Sequence, residues 1–311
     1  MINPKIAIII LNYNGLKDTL ECLASVLAIN YSNYQVVLVD NSSGNGTVAA
    51  VRKKFGSRVK ILANRQNLGF AEGNNVGIRW AQKSGADFVL LLNNDTLVNP
   101  NFLDILVKNV HTHPDFSVFG PQIRKYPQKN VIWYAGGRMF WSVASVQMFD
   151  RNQKMSQIKL KKSTKVSFIP GAAILIKTDV FAKVGILDKK FFLYWEETDW
   201  EARALRAGIK FLYVPDAVIW HKVAATSGGS KNPRMQYYFY RNNLLFAQKN
   251  LPFYWWPSFI LFFVGRLIFV EFLLGLAEKI IGRPQRWCGL SYIWQGILDF
   301  RRGKFGQRKF D

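Results

Sequence analysis

The chain has 311 residues, of which 49% are apolar, so it can bury a sizeable core, and we expect one large domain with an appendage. Forty-two Lys and Arg residues against 20 Asp and Glu residues give a formal charge of +22, which predicts attraction to an anionic partner. Nucleic acid, an acidic membrane surface and a nucleotide-linked substrate all fit that charge. The two cysteines, Cys22 and Cys288, lack the spacing of a metal site and are expected to be reduced thiols. We expect no signal peptide, because the apolar run Lys5–Leu11 is short and polar residues follow it at once.

The first hundred residues alternate short aliphatic segments with helical segments. The aliphatic segments are too apolar for half-exposed strands, which predicts parallel strands buried on both faces. The alternation predicts an α/β fold, with βαβ units in a mostly parallel, doubly wound sheet that has helices on both faces. The predicted strands are Lys5–Leu11, Tyr34–Asp40, Arg58–Ala63 and Asp87–Leu92, and the predicted helices are Leu16–Ala28, Thr47–Phe55 and Ala71–Lys83.

Polar residues follow each of the four predicted strands, at the edge where an open α/β sheet binds its ligand. One such loop would be ordinary turn chemistry, but four loops at the same edge predict a binding site. The four loops are NYNG (12–15), DNSSGNGT (40–47), NRQNLGFAEGNN (64–75) and NNDT (93–96).

The middle of the chain is less regular. Glycines and aromatic residues at strand-like spacing predict a hairpin in Val131–Asp150, and the run 151–165, with six Lys or Arg and no acid, predicts a solvated basic loop. VSFIPGAAILIK predicts two strands joined by a tight turn at Pro170–Gly171, followed by a helix that begins near Thr178. An acidic cluster lies before or within the next helix, and FLYVPDAVIWH predicts a strand that ends at His221.

Two common nucleotide-binding motifs are missing from the sequence. The first turn, NYNG, has one glycine instead of the G-x-G-x-x-G of dinucleotide enzymes, and no G-x-x-x-x-G-K-S/T loop occurs. Hydride transfer and nucleoside triphosphate hydrolysis are therefore disfavoured. A nucleotide site built from Asn and Asp side chains remains, with a carboxylate available for a divalent metal.

Six motifs occur in the order and spacing of a known family: LNYNG, VLVDNSSGNGT, NLGFAEGNNVGI, LLLNNDT, FFLYWEETDW and IWHK. Together they resemble family-2 glycosyltransferases with the Rossmann-like GT-A fold, and the rhamnosyltransferase-like branch is the closest match. The resemblance covers roughly residues 5–250. It implies transfer of a sugar from a nucleoside-diphosphate donor to an acceptor hydroxyl, with Mg²⁺ or Mn²⁺ and with inversion at the anomeric carbon.

The resemblance also implies a donor site at the strand ends. Asp40 matches the position that recognises the pyrimidine base or its ribose, and Tyr13 matches an aromatic residue that stacks on the base. A packing role for Tyr13 and a simple turn at Asn67–Gly69 are the alternatives. The other nucleotide-binding candidates are Asn12, Asn14, Arg65, Asn67, Gly69, Asn93 and Asn94.

The segment Asn93–Asp95 stands at the position of the family's D-x-D-type metal motif. Asp95 would hold the metal that bridges the diphosphate, and His221 matches a histidine that completes the metal shell or contacts the diphosphate. Asparagines in place of acids give this site less negative charge. A helix cap is the alternative role of Asp95, and a core position is that of His221. The stretch KVAATSGGS after His221 is expected to close over the donor.

The resemblance places the reaction at WEETDW, Trp195–Trp200. An inverting displacement needs a base that removes the acceptor proton, and Glu197 matches that base, with Asp199 in reserve. Glu196 is expected to bind acceptor or sugar hydroxyls. Trp195 and Trp200 would partly close the site, and the turn Pro170, Gly171 and Ala172 matches the place where sugar and acceptor meet. A cluster of carboxylates would raise at least one pKa, whereas the alternative is that the helix dipole alone attracts these acids.

The C-terminal part differs in kind from the rest. No acidic residue occurs from Ala217 to Val270, and Phe253–Ala277 is apolar and long enough to cross a bilayer, although Pro257, Arg266 and Glu271 interrupt it. We predict a helix pair embedded in or lying on an anionic membrane surface, with packing on the soluble domain or a second subunit as the alternative. The expected domains are residues 1–225 and 226–311.

The sequence thus predicts a membrane-associated inverting glycosyltransferase at the cytoplasmic face. The expected donor is a dTDP- or UDP-sugar, with rhamnose favoured, and the expected acceptor is a lipid-linked saccharide or polysaccharide precursor. Nucleic acid is not an expected partner. The alternatives are a non-catalytic nucleotide-binding scaffold with a degenerate fold and a basic nucleic-acid-binding protein.

Overall fold

The computed structural model describes residues 3–159, 161–222, 232–282 and 285–310. Within these residues it has a ten-stranded mixed sheet, a two-stranded hairpin and a group of C-terminal helices. The strands are β1 (Ile6–Asn12), β2 (Tyr34–Asp40), β3 (Val59–Ala63), β4 (Phe88–Asn93), β5 (Thr96–Val98), β6 (Val118–Lys125), β7 (Ile132–Tyr134), β8 (Gly137–Phe140), β9 (Ser145–Met148), β10 (Thr164–Val166), β11 (Ala173–Lys177) and β12 (Phe211–His221). The helices are α1 (Leu16–Val26), α2 (Thr47–Phe55), α3 (Gly69–Lys83), α4 (Phe102–Thr112), α5 (Asp179–Val184), α6 (Glu196–Arg206), α7 (Pro233–Asn250), α8 (Trp256–Arg266), α9 (Leu274–Ile280) and α10 (Gln285–Arg301).

The first four strands form the parallel part of the sheet, as the apolar runs predicted. Their order is β3-β2-β1-β4, and the side chains of β1 and β4 are buried almost throughout. The register places Asn12 opposite Asp40 and Leu11 opposite Asn93. The polar ends of three strands therefore lie at the same level of one sheet edge.

The second half of the sheet is mixed, because β11 runs antiparallel between β4 and β6. Its position brings the predicted turn to the end of β4, where the Asn93 backbone N–H donates to the Ala172 carbonyl at 3.0 Å. β12 runs parallel to β6 and ends at His221, and β8 and β9 form the predicted hairpin. Six of the ten strands run in one direction, which confirms the predicted mostly parallel α/β fold.

The C-terminal helices have a core of their own that also includes residues of α6. Phe246 of α7, Phe259 and Phe263 of α8 and Ile293 of α10 are buried together with Trp195. Helix α10 approaches α7 closely at Gly296, where an added Cβ would be 2.8 Å from the Tyr237 carbonyl oxygen. The predicted boundary between residues 225 and 226 lies outside the described residues.

A continuous helical segment, Phe253–Ile280, includes α8, a π-helical stretch at Leu267–Leu273 and α9. Among the described residues it is the one helix whose length and apolar composition would allow it to cross a membrane. Phe259 and Phe263 are buried against the protein, whereas Leu261 and Phe269 are 77% and 66% exposed. The segment therefore packs through one side and presents apolar side chains on another.

Gly69 allows two loops near the sheet edge to approach each other. Its φ is +79°, and an added Cβ would be 2.5 Å from the Phe192 carbonyl oxygen and 2.7 Å from the ring carbon Cγ of the same residue. The Phe70 N–H donates to that carbonyl at 2.5 Å. A side chain at position 69 would therefore meet both an unfavourable backbone conformation and a steric overlap.

We expect Gly69→Ala to lower the melting temperature more than Gly85→Ala. Gly85 has a similar φ of +68° but nothing within 4 Å of the added Cβ, so both variants share a backbone cost of roughly 1–2 kcal/mol. Overlap with Phe192 adds roughly 1–3 kcal/mol at position 69. Thermal unfolding followed by circular dichroism measures the difference, and equal melting temperatures for the two variants would contradict this account.

Candidate active site

Asn12 at the end of β1 joins the polar loops that follow β1 and β2. Its amide nitrogen donates to Asp40 Oδ1 and to Ser43 Oγ, both at 2.8 Å. Its amide oxygen accepts from the Gly15 N–H at 3.0 Å and from the Thr19 hydroxyl at 2.8 Å. All of its hydrogen-bonding positions are used inside the protein, so Asn12 supports the neighbouring side chains at this edge.

Asn94 extends this network to the loop after β4. Its amide nitrogen donates to Asn12 Oδ1 at 3.2 Å and to the Thr19 hydroxyl at 3.0 Å. Asn94 is buried, whereas the neighbouring Asn93 is half-buried. The structure therefore brings Asn12, Asn93 and Asn94 together, as their predicted positions at the strand ends implied.

Asp40 is buried and receives hydrogen bonds on both carboxylate oxygens. Asn12 donates to Oδ1, and the Ser43 N–H donates to Oδ2 at 2.9 Å. The next residue, Asn41, was not singled out by the sequence, although it stands in the DNSSGNGT motif. Its side chain joins the loops after β2 and β3: it donates to Asn67 Oδ1 at 2.8 Å and to the Gly69 carbonyl at 3.0 Å.

Tyr13, Asn14 and Arg65 lie at the exposed rim of this edge. The Tyr13 side chain is 48% exposed, so it is not a packing aromatic of the core. The Asn14 amide oxygen accepts from the Gly44 N–H at 3.1 Å. Arg65 is exposed and lies two residues after the end of β3, and its carbonyl accepts from the Ser42 hydroxyl at 3.4 Å. These positions leave an aromatic ring and a guanidinium available to a ligand.

Asp95 and His221 form a buried pair, with Asp95 Oδ1 3.0 Å from His221 Nε2. Antiparallel pairing of β5 with β12 sets this geometry, since Thr96 lies opposite His221. Asp95 precedes a strand, and Asn101 stands at the start of the next helix, so the helix-cap alternative for Asp95 is wrong. The stretch KVAATSGGS lies outside the described residues except for Lys222, which is paired with Asp18 and Glu21.

The Asp95–His221 pair fits part of a divalent metal site. Carboxylate oxygen and imidazole nitrogen are ligands that Mn²⁺ accepts, and Mg²⁺ favours the oxygen. His221 Nδ1 has no hydrogen-bond partner among the described residues. Within the described part of the chain, no group of three or more His, Cys, Asp or Glu residues could hold a metal. A metal here would need oxygens from a ligand to complete its shell.

Glu196 and Glu197 begin α6, where Glu196 is buried and Glu197 is half-buried with one carboxyl oxygen enclosed. Burial, together with the nearby charge of Glu197, raises the pKa of Glu196 well above its usual range. Burial also raises the pKa of Glu197, although backbone N–H groups and Glu196 donate hydrogen bonds to its carboxylate and partly oppose that rise. One oxygen of each carboxyl group has no partner among the described residues. Of the two carboxyl groups, Glu196 therefore has the stronger tendency to stay protonated, and Glu197 is the acceptor in their mutual contact.

The predicted turn Pro170–Ala172 lies directly against Glu197. The Pro170 carbonyl accepts from the Ala173 N–H at 3.3 Å, which closes the turn, and all three residues are buried. An added Cβ at Gly171 would be 3.6 Å from the Glu197 Cβ and Cγ atoms. Because the Ala172 carbonyl is hydrogen-bonded to the Asn93 N–H, this turn connects the glutamate pair to the end of β4.

The side chains of Asp199 and Trp200 contact other parts of the protein and do not face the site. Asp199 Oδ2 pairs with Arg203, and Oδ1 accepts from Asn250 and pairs with Lys249, each at 3.0 Å. Trp200 lies in the main core, and its indole N–H donates to the Gly185 carbonyl at 2.8 Å. This placement corrects the expectation that Trp200 closes the site and leaves Glu197 as the candidate base.

The family model described as glycosyl transferase family 2 matches residues 7–185, which is more than half of the chain. This chain belongs to glycosyltransferase family 2. It is 28% identical to an N-acetylglucosaminyl-diphospho-decaprenol L-rhamnosyltransferase from Mycobacterium tuberculosis, over 66% of this chain and 72% of the relative. It is 22% identical to the dTDP-rhamnosyl transferase RfbF from Shigella flexneri, over 80% of this chain and 81% of the relative. The predicted rhamnosyltransferase-like branch is confirmed.

Solved glycosyltransferase structures have a similar fold. The mannosyltransferase PcManGT from Pyrobaculum calidifontis, in complex with GDP-Man and Mn²⁺, matches with a TM-score of 0.60 and 15% identity over 98% of this chain and 89% of that chain. GalNAc-T7 with UDP, GalNAc and Mn²⁺ matches with a TM-score of 0.61 and 17% identity over 79% of this chain and 48% of that chain. The chain therefore spans about half the length of GalNAc-T7. At these identities the similarity shows the fold, which is the predicted GT-A fold.

We expect Asn12→Asp to destabilise this family-2 enzyme by roughly 2–4 kcal/mol, because a carboxylate cannot donate to Asp40 and would repel it across 2.8 Å. Urea unfolding measures the free energy of unfolding. Asn33→Asp is the control, since Asn33 is exposed and donates to the Asn3 carbonyl at the surface. Equal unfolding free energies for the two variants would show that the Asn12–Asp40 hydrogen bond does not contribute to the stability of the protein.

Proposed function

We propose that the protein transfers a sugar, with rhamnose favoured, from a dTDP- or UDP-sugar to a hydroxyl group. The acceptor is a lipid-linked saccharide or a cell-surface polysaccharide precursor at the cytoplasmic face of the membrane, and the anomeric carbon is inverted. Membership of glycosyltransferase family 2 supports the sugar transfer. Two relatives are rhamnosyltransferases, which supports the choice of sugar. The name of the Mycobacterium tuberculosis relative includes a diphospho-decaprenol acceptor, which supports the lipid-linked acceptor.

The observation that carries the proposal is the position of Glu197. Its side chain lies against the turn at Gly171. That turn is hydrogen-bonded to Asn93 at the end of β4, two residues before Asp95. In this proposal the proton acceptor and the diphosphate-binding group are thereby connected through the turn and the end of β4. An inverting displacement needs these two functions on opposite sides of the anomeric carbon.

In the proposed reaction Glu197 accepts the proton of the acceptor hydroxyl. The hydroxyl oxygen forms a bond to the anomeric carbon as the bond from that carbon to the diphosphate oxygen breaks, and the nucleoside diphosphate leaves with the electron pair. Burial raises the pKa of Glu197, which makes its carboxylate a stronger base than an exposed one. The pKa of Glu196 is raised further by burial and by the charge of Glu197, so Glu196 donates a hydrogen bond to the Glu197 carboxylate, and Glu197 is the partner assigned the role of base.

In the proposed donor site, the polar loops would hold the nucleotide, and Asp95 and His221 would hold a divalent metal. In this proposal the exposed ring of Tyr13 stacks on the base, and Asp40, Asn67 and Arg65 contribute to the same nucleotide site. Bound Mg²⁺ or Mn²⁺ would neutralise negative charge on the leaving diphosphate. Solved structures with this fold contain Mn²⁺ with a nucleotide or a nucleotide-sugar, which supports this assignment.

The helical segment Phe253–Ile280 is proposed as the membrane-binding element. The charged residues that interrupt its apolar run point inward: Arg266 Nε donates to the Tyr240 hydroxyl at 3.1 Å, and that hydroxyl donates to Glu271 Oε1 at 2.7 Å. The outward side chains are therefore mostly apolar, and such a large exposed apolar patch marks an interaction surface. The +22 formal charge favours an anionic lipid surface as the partner.

We expect the purified protein to release dTDP or UDP from one nucleotide-sugar in the presence of Mg²⁺ or Mn²⁺, and faster when acceptor is added. Glu197→Gln should slow transfer by about 10²–10⁴-fold, because general base catalysis contributes about that much. Asp95→Ala should slow it by roughly 100-fold or more, because a bound metal contributes several kcal/mol of charge stabilisation. Coupled measurement of nucleoside diphosphate release tests each variant.

Asp115→Asn is the matched control for these two variants, because Asp115 is an exposed carboxylate paired with Lys210. The pH profile provides a second check. Glu197 must be ionised to accept a proton, so the rate should fall as the pH is lowered through its raised pKa, above the range of an ordinary glutamate. Nucleotide binding in the absence of any release or transfer would instead favour a non-catalytic scaffold.

We expect the protein to float with vesicles that contain phosphatidylglycerol. The double variant Leu261→Glu/Phe269→Glu should bind much less, because the two side chains contribute about 3 kcal/mol or more when they enter lipid. Ser57→Glu/Thr112→Glu adds the same two charges to exposed positions of the sheet domain and should bind like the wild type. If both double variants float equally well, the apolar segment is not the membrane-binding element.

A further inference from the structure

The backbone that leads into the glutamate pair is held in unusual conformations. Phe192, Tyr194 and Trp195 have φ values of 63°, 67° and 74°, in the left-handed region. This region is unfavourable for residues that have a Cβ atom, so such a run persists only where surrounding groups hold it. Glu196 follows immediately, and the direction of α6 therefore depends on these conformations.

Asn242 of α7 donates to this segment three times. Its amide nitrogen lies 2.6 Å from the Phe191 carbonyl oxygen, 2.8 Å from that of Leu193 and 3.0 Å from that of Tyr194. An amide group has two N–H hydrogens, so these three acceptors share them. Asn242 is completely buried, and water is therefore no substitute for these contacts.

The neighbouring Arg241 orients that amide and adds further hydrogen bonds. Its Nε donates to Asn242 Oδ1 at 2.9 Å, which turns the amide nitrogen toward the segment. One terminal nitrogen, Nη2, donates to the Phe191 carbonyl at 3.2 Å, and the other, Nη1, donates to the Gly306 carbonyl at 2.8 Å. The buried guanidinium also lies over the rings of Tyr237 and Tyr238, at 5.2 and 5.0 Å from their centroids.

We propose that Arg241 and Asn242 are positioning residues for the reaction. They hold residues 190–194 in the backbone conformation that brings Glu197 against Gly171. They touch neither the donor nor the acceptor in this proposal, and they act only through the segment that precedes α6. The inference rests on the proposed role of Glu197 as base, and it assigns a function to the C-terminal helices beyond membrane attachment.

Asn242→Ala in the full chain tests the proposal. We expect kcat to fall about 10–100-fold, because displacement of a reacting group by about 1 Å can cost that much. The KM and Kd for the nucleotide-sugar should stay within twofold, since the hydrogen bonds of Asp40 and Asn41 that join the polar loops do not involve residues 190–194. Hydrogen exchange measured by mass spectrometry should be faster in the peptide that contains residues 190–195.

Asn243→Ala is the matched control. Asn243 is the next residue of α7, is also buried, and donates to the carbonyl of Ala144, another residue with a left-handed backbone. This variant should keep kcat within twofold and leave exchange of residues 190–195 unchanged. If Asn242→Ala does not fold, Asn242→Ser retains one donor and should give a smaller loss of kcat with the same unchanged KM.

Two results with Asn242→Ala would each overturn the positioning role: a kcat equal to that of the wild type, or unchanged exchange of residues 190–195. An equal loss of kcat in Asn243→Ala would also overturn it, because the effect would then be one of general packing. Failure of the proposed function gives a different pattern. The wild type would then transfer no sugar, whereas the exchange comparison would still show whether Asn242 holds the segment.

Discussion

The burial of glutamate side chains in α6 is the constraint on which the rest of the structure depends. Glu196, Glu197 and Glu201 all have a raised pKa, because each loses water on folding. Backbone N–H groups compensate: Ile169 donates to Glu201 Oε1 at 2.8 Å, and Gly171 donates to Glu197. The turn between β10 and β11 must therefore lie against α6, and it cannot move without leaving carboxylates unsatisfied.

The polar edge at the strand ends follows the same rule with neutral groups. Asn12 and Asn94 have lost their water at the ends of β1 and β4, so their amides bond to each other and to Thr19 and Asp40. Polar groups that satisfy one another in this way are held in one arrangement before any ligand binds. A nucleotide-sugar would thus meet an ordered edge, which reduces the entropy cost of binding it.

The C-terminal helices contact the protein on one side and expose apolar side chains on the other. On their inner side, Arg241 and Asn242 bond to the backbone before α6, and Tyr240 bonds to Glu271. On the outer side, Leu261 and Phe269 expose apolar surface. This separation explains why a segment with Arg266 and Glu271 in its sequence still presents an apolar face. It also connects the proposed membrane surface with the proposed base through one group of packed helices.

The sequence by itself determined the parallel strands, the helices between them and the polar edge, because these follow from local hydrophobic patterns and from the shared direction of parallel strands. It also located the acidic cluster and His221. Only the tertiary structure decided which acid faces the turn. Glu197 and Asp199 are two residues apart in a helix, about 200° around its axis, so they point to different sides. Asp199 meets Asn250 and Lys249, residues about fifty positions away, and no local pattern could reveal those partners.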